Sequence, residues 1–214
     1  MNHPIGIDPS HDVLLVVDVQ YDFLPGGALA VPDGDAVIEP INRLAQLFPH
    51  VVLTQDWHPP GHTSFASAHP GKAPFETKDL HYGTQVLWPD HCVQGTPGAE
   101  IARELEVSKA QLVVRKGHNP GIDSYSGFVE ADRKTATGLA GYCREKGFRR
   151  VFCAGLALDF CVAWTAVDAM EAGFEAFVIE DACRAIDADG SLERALHDLD
   201  RAGAVRIIAD RIGT

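Results

Sequence analysis

No stretch of this chain is rich in lysine or arginine. Acidic residues outnumber basic ones by 30 to 18, giving a net charge of −12 with the histidines neutral. Nucleic acid and anionic membrane surfaces both require a basic footprint, so neither is expected as a partner. No apolar run approaches the ~20 residues that a membrane span needs. The opening segment, Met1-Asn-His-Pro-Ile-Gly-Ile-Asp8, lacks a basic region followed by an apolar core, so no signal peptide is expected. There is no CxxC pair, and the five cysteines (92, 143, 153, 161 and 183) are odd in number. That usage argues against a disulfide framework and for a reducing cytoplasm. Internal repeats, low-complexity tracts and domain linkers are missing as well. The 214 residues, 46% apolar and 22% charged, are therefore expected to fold as a single globular domain over 1–214.

What is present is an alternation of two patterns. Short, continuous apolar runs at Val13–Val19, Val51–Thr54, Gln111–Arg115, Arg150–Ala154, Phe174–Ile179 and Val205–Ile208 read as strands covered on both faces. Helical spacing separates them. Ala36–Leu47 gathers Val37, Ile38, Ile41, Leu44, Ala45 and Phe48 on one side, and Thr135–Lys146, Phe160–Ala172 and Ser191–Ala202 read likewise. Gly147, Gly173 and Gly203 follow the last three, where C-terminal caps belong. The order implies right-handed crossovers and an α/β fold, a doubly wound, mostly parallel six-stranded sheet with helices on both faces. Two long irregular stretches, Pro59–Pro89 and Gly117–Ala131, are expected to be binding walls or lids, the first with a helical turn or two.

Four reactive residues fall at or just beyond strand ends: Asp18, Asp56, Lys116 and Cys161. In a parallel sheet all carboxyl ends share one edge, and open α/β sheets bind ligands there. Cys161 sits where a strand breaks at Gly155 into a helical pattern. A helix start favours negative charge, so the thiol is expected to ionise readily. An acid, a lysine and a thiol together suit nucleophilic catalysis, with the carboxylate taking the thiol proton. Blander readings stay open: Cys161 as a small buried hydrophobe, Asp18 as a cap on a loop amide, Lys116 as a solvated strand end. Cys143 and Cys153 read as core filler.

A second group is Gln55-Asp56-Trp57-His58, with Trp88-Pro-Asp-His91-Cys92 later. Residues two apart on an extended chain point the same way, so Asp56 and His58 can grip one ion, and His91 would complete a site with open positions. Such a donor set suits zinc, iron or manganese. His58 packed against Pro59 is the bland alternative. His62 and His69 read as solvated or as supporting the ligands from behind.

These segments resemble the nicotinamidase/pyrazinamidase family of isochorismatase-like cysteine hydrolases. The matching pieces are Val17-Asp18-Val-Gln-Tyr-Asp-Phe23-Leu, Thr54-Gln-Asp56-Trp-His58-Pro, Trp88-Pro-Asp-His91-Cys-Val-Gln-Gly-Thr, Arg115-Lys116-Gly and Gly155-Leu-Ala157-Leu-Asp-Phe-Cys161-Val. The resemblance implies Cys161 as nucleophile, Asp18 as general base and Lys116 as its charged partner. It implies Asp56, His58 and His91 as ligands of one divalent metal ion, with zinc favoured over iron or manganese. It further implies the backbone N–H groups of Ala157 and Cys161 as an oxyanion hole, with a cis peptide between Leu156 and Ala157. Phe23, Trp88 and Leu156 are implied as substrate-contacting residues. Some family members carry a further histidine or glutamate ligand shortly after the position of His58; Ser64 stands at one such position here, so three protein ligands plus waters are expected. The implied activity is hydrolysis of nicotinamide, and of pyrazinamide, through a cysteine thioester, in NAD salvage. Assembly into a homo-oligomer is left open. Three rivals are weighed: another amide or carbamoyl hydrolase with the same triad, a metal-water hydrolase in which Cys161 is filler, and a non-catalytic metal-binding scaffold.

Overall fold

The computed structural model describes residues 4–213. Among them are ten strands and four α-helices: β1 (Ile5–Gly6), β2 (Asp12–Val17), α1 (Ile38–Leu47), β3 (Val51–Asp56), β4 (Thr77–Leu80), β5 (Gly83–Val86), β6 (Ala110–Lys116), α2 (Leu139–Lys146), β7 (Arg150–Leu156), α3 (Ala163–Glu171), β8 (Glu175–Arg184), α4 (Ser191–Ala202), β9 (Val205–Ile207) and β10 (Ile212–Gly213). The main sheet has the order β6-β3-β2-β7-β8-β9, and every pairing in it is parallel. All six predicted strands are there. β2 and β3 are buried at every position, as continuous apolar runs require.

Side chains alternate across the sheet with period two. Leu14 and Val16 of β2 join Ile41, Leu44 and Phe48 in one core. Val13, Leu15 and Val17 join Leu139, Val162, Ala166 and Leu199 in the other. Two apolar layers thus sandwich the sheet, as expected. Phe152 stacks on Phe177 with ring centroids 4.6 Å apart and tilts against Phe48 at 5.0 Å, which ties three elements of the first layer together. The three predicted glycine caps are left-handed, and the next residue's N–H returns to a carbonyl five residues back in each case, as for Phe148 to Cys143.

Several boundaries differ. The run from Ala36 begins as a 3-10 turn over Gly34–Val37 before α1. α2 starts at Leu139 rather than Thr135, because the Thr137 hydroxyl is engaged by the Gly127 carbonyl at 2.6 Å and Gly138 is left-handed. The helix expected from Phe160 opens as a π turn, Leu158–Val162, which runs into α3. The Pro59–Pro89 stretch contains one 3-10 turn, Ala66–Ala68, but also an antiparallel hairpin, β4–β5, that its polar sequence did not signal. No helix among the described residues is long and apolar enough to cross a membrane.

Chain order reverses between β2 and β7. From β2 the sheet grows outward through β3 to β6, then the chain crosses back to lay β7 against the other side of β2. The carboxyl ends of β2 and β7 therefore flank the crevice that this topology leaves open for a ligand.

Candidate active site

Asp18 is the first residue beyond β2, and its left-handed backbone (φ 47°) turns the chain away from the sheet. Cys161 lies in the π turn that follows β7. The turn into it needs Gly155: a Cβ there would lie 2.1 Å from the Val17 carbonyl oxygen. Lys116 closes β6, two strands away from β2, and its long, fully buried side chain spans that gap.

The Lys116 ammonium is the hub. It lies 2.8 Å from Asp18 Oδ2 and 3.4 Å from Cys161 Sγ, donates to the Ser124 carbonyl at 2.9 Å, and contacts Asp56 Oδ1 more closely still. The other Asp18 oxygen accepts from the Thr54 hydroxyl at 2.6 Å. Burial pushes the Asp18 carboxyl up and the neighbouring Asp56 charge adds to it, while Lys116 pulls the other way. Burial disfavours the charge on Asp56 too, but the Lys116 ammonium, with the His58 imidazole beside it, holds that carboxyl well below the usual range. Lys116 resists its own burial because two carboxylates surround it, and it stays protonated. Burial, then Asp18 and Asp56, push the Cys161 thiol well above its ordinary value despite Lys116. The expectation of a readily ionised thiol is corrected here: desolvation outweighs the start of the helix.

The second group also converges. Asp56 Oδ2 lies 3.5 Å from His58 Nε2 and 3.7 Å from His91 Nε2. Each ring's Nδ1 faces a backbone carbonyl, Gly117 at 2.9 Å and Pro89 at 2.8 Å, which can only accept. The Nδ1 atoms therefore carry hydrogens, which leaves the Nε2 atoms, both facing the shared carboxylate, as the positions able to ligate an ion. One carboxylate and two imidazole lone pairs, all within 4.8 Å of one another, form a donor set for a divalent ion. Gly117 is required beside it, since a Cβ there would fall 2.4 Å from His58 Cε1.

His62 is not solvated. It is fully buried, its Nε2 donates to the carbonyls of Asn119 (2.9 Å) and Ile122 (3.2 Å), and its Nδ1 accepts from the Ser64 hydroxyl at 2.7 Å. Burial and the neighbouring His58 hold it neutral. His69, partly buried, contacts the Thr63 carbonyl at 2.7 Å and the Lys78 ammonium at 2.8 Å.

A small cavity joins the two groups, walled by Phe23, Trp88 and Ala157 with Cys161, Asp56, His58 and His91 at its base. Leu156 does not line it. Its side chain turns into the core toward Val31 and Gly34, so the expected substrate contact at 156 is corrected. The Leu156–Ala157 peptide is cis, as expected. The sequence reading missed Leu29, Asp123, Tyr125, Phe160 and Ile186, which complete the wall. Tyr125 accepts from Trp88 Nε1 at 3.1 Å, and Phe160 stands edge-on to the same indole at 4.9 Å. A larger groove of about 860 Å³ between α3 and α4 shares Tyr125 and Phe160 with this cavity but contains neither Cys161, Asp18 nor Lys116.

Residues 12–210 match the isochorismatase domain model. A nicotinamidase from Acinetobacter baylyi is 55% identical over 199 residues, 93% of each chain. Among solved structures, a nicotinamidase/pyrazinamidase of Acinetobacter baumanii superposes with a TM-score of 0.94 at 56% identity, covering 95% of this chain and 99% of its own. A Leishmania infantum protein in complex with nicotinate gives 0.86 at 38% identity, covering 98% of both. A Pyrococcus horikoshii pyrazinamidase in complex with zinc gives 0.75 at 36%, covering 92% of this chain and 99% of its own.

Proposed function

This chain belongs to the isochorismatase family, in its nicotinamidase/pyrazinamidase branch, and from that premise we infer that it hydrolyses nicotinamide to nicotinate and ammonia, a step of NAD salvage. The observation that carries the mechanism is the Lys116 ammonium touching Asp18, Asp56 and Cys161 at once. A buried cation in contact with a thiol as well as two carboxylates favours thiol chemistry over a metal-water hydrolase or a passive scaffold.

Asp18 is the base. Burial raises its carboxyl, which makes it a better acceptor for the thiol proton, and Lys116, in contact with both groups, offsets the negative charge as the proton crosses. The Cys161 sulfur then attacks the carboxamide carbon. The backbone N–H groups of Ala157 and Cys161 receive the resulting oxyanion, a type of contact worth about 3–4 kcal/mol per donor. Asp18 returns the proton to the leaving nitrogen, the C–N bond of the tetrahedral adduct breaks, and ammonia departs, leaving a thioester on Cys161. Water, deprotonated by Asp18, attacks that thioester; the S–C bond breaks, the sulfur recovers its proton, and nicotinate is released.

Asp56, His58 and His91 would hold the divalent ion, a donor set that zinc, iron or manganese fits, with zinc favoured by the zinc complex of the Pyrococcus horikoshii relative. When bound it supplies a Lewis-acidic anchor for the pyridine nitrogen. Phe23 and Trp88 hold the ring between them, and Trp88 is itself fixed by Tyr125. Pyrazinamide, which keeps a ring nitrogen and the carboxamide, fits the same arrangement. The test is ammonia release from nicotinamide by the parent and by Cys161→Ala, with and without chelator. Both substitution and chelation should abolish it, and a parent-like rate in Cys161→Ala would remove the nucleophile.

A further inference from the structure

Asp56 sits where the sheet runs out of backbone partners on one side. β3 pairs with β6 out to Asp56, but on its other flank β2 is in register only to Val16, opposite Leu53. Beyond that the chain veers off at Asp18, so the β2-facing N–H and C=O of Asp56 have no strand to bond to. Buried backbone groups must be paired somewhere. The Gln20 side chain provides the partner: its Oε1 accepts from the Asp56 N–H at 2.8 Å and its Nε2 donates to the Asp56 carbonyl at 2.8 Å. The second Nε2 hydrogen goes to the Ala99 carbonyl at 2.9 Å. Gln20 is fully buried and both amide hydrogens are used.

We propose that Gln20 is a positioning residue for the metal centre, its amide standing in for a missing strand so that Asp56 presents one oxygen to Lys116 and the other to His58 and His91. The Ala99 bond extends the grip. Ala99 belongs to the loop that follows His91, whose Cys92 carbonyl accepts from the His58 N–H at 3.0 Å. One side chain thereby ties the carboxylate ligand to the segment carrying a histidine ligand. Gln55 supplies an internal comparison. Its Nε2 donates to the same Ala99 carbonyl at 2.8 Å, but it makes no bond to the Asp56 backbone.

The inference rests on the reading of Asp56, His58 and His91 as metal ligands, and the experiment separates the two. Chelator-stripped protein is titrated with zinc by calorimetry, using the parent, His91→Ala, Gln20→Leu, Gln20→Glu and Gln55→Leu, with circular dichroism to establish folding. Stoichiometric binding by the parent and its loss in His91→Ala report on the ligand assignment alone. Gln20→Leu should weaken zinc about 10- to 100-fold, as losing a group that orients a ligand does, while Gln55→Leu stays within about threefold of the parent. Gln20→Glu, which keeps the acceptor for the Asp56 N–H but loses both donors, should fall on the weak side. Parent-like affinity in Gln20→Leu, or an equal loss in Gln55→Leu, would overturn the proposal. So would failure of both Gln20 variants to fold, which would make Gln20 a folding residue only.

Discussion

Asp56 and Lys116 are register partners in β3 and β6, and that pairing lets one carboxylate serve two groups, holding the Lys116 ammonium with Oδ1 and facing the histidine pair with Oδ2. A single pair of neighbouring strands thus sets the distance between the Lys116–Cys161 contact and the His58–His91 pair.

Lys116→Met keeps the stem and removes the charge, leaving Asp18 and Asp56 buried without their shared cation. In chelated protein, urea denaturation should show a loss of about 3–5 kcal/mol, the cost of breaking a buried pair from one side. Turnover should fall on the order of 100-fold or more, since the charge that steadies the proton transfer is gone. Unchanged stability would mean that the two carboxylates are already protonated.

Asp18→Asn retains the hydrogen bond from Thr54 but cannot accept the thiol proton. Steady-state kinetics should show kcat reduced by about 10²- to 10⁴-fold with KM near the parent value. A KM increase matching the kcat loss would point instead to a role in binding. Thr54→Val leaves Asp18 Oδ1 without its donor and should cost about 1–3 kcal/mol in stability.

All five thiols are buried, and burial raises each. Cys143 and Cys183 are pushed up to about 12. For such groups the folded state keeps its proton while the unfolded chain gives it up near pH ~8.5, so the unfolded state binds fewer protons and stability must fall as pH rises. Stability is therefore fully present below about pH 8.5 and should decline above it by up to about 1.4 kcal/mol per pH unit for each thiol. Chemical denaturation from pH 7.5 to 10 checks this, and Cys183→Ala should show a shallower slope.

Gly117→Ala places a methyl group 2.4 Å from His58 Cε1 at a left-handed position, so the imidazole must move. Zinc affinity, measured by competition with a chelator, should drop about 10- to 100-fold. Gly121→Ala, whose nearest neighbour is 3.8 Å away, serves as the control and should bind as the parent does.

The sheet and the reactive groups were legible for the same reason. β2, β3 and β7 are buried on both faces, so their sequences are continuous apolar runs, and an acid or cysteine just after such a run marks the ligand-binding edge. The β4–β5 hairpin was not legible because only one of its eight strand residues is buried and no apolar alternation survives. The extension of β8 through Glu180 and Asp181 was hidden by polar residues at an irregularity in its pairing with β7. Thr54 was within reach: it lies two residues before Asp56 in a strand, on the same face, and that period carries it to Asp18. Tyr125, Asp123 and Phe160 were not, since loops and turns bring them to the cavity and no spacing rule encodes that approach. The thiol's ionisation was misjudged because local sequence shows a helix start but not the depth of burial around it.

The Trp88 indole gives the protein a built-in optical reporter. Of the three tryptophans, Trp57 lies under the Arg115 guanidinium at 4.0 Å and Trp164 is exposed near Arg133, while Trp88 alone lines the cavity. With Trp57 and Trp164 replaced by phenylalanine, emission would come from a single fluorophore in contact with whatever occupies the pocket. Ligand arrival could then be followed in real time on a Cys161→Ala background, without any chemical turnover.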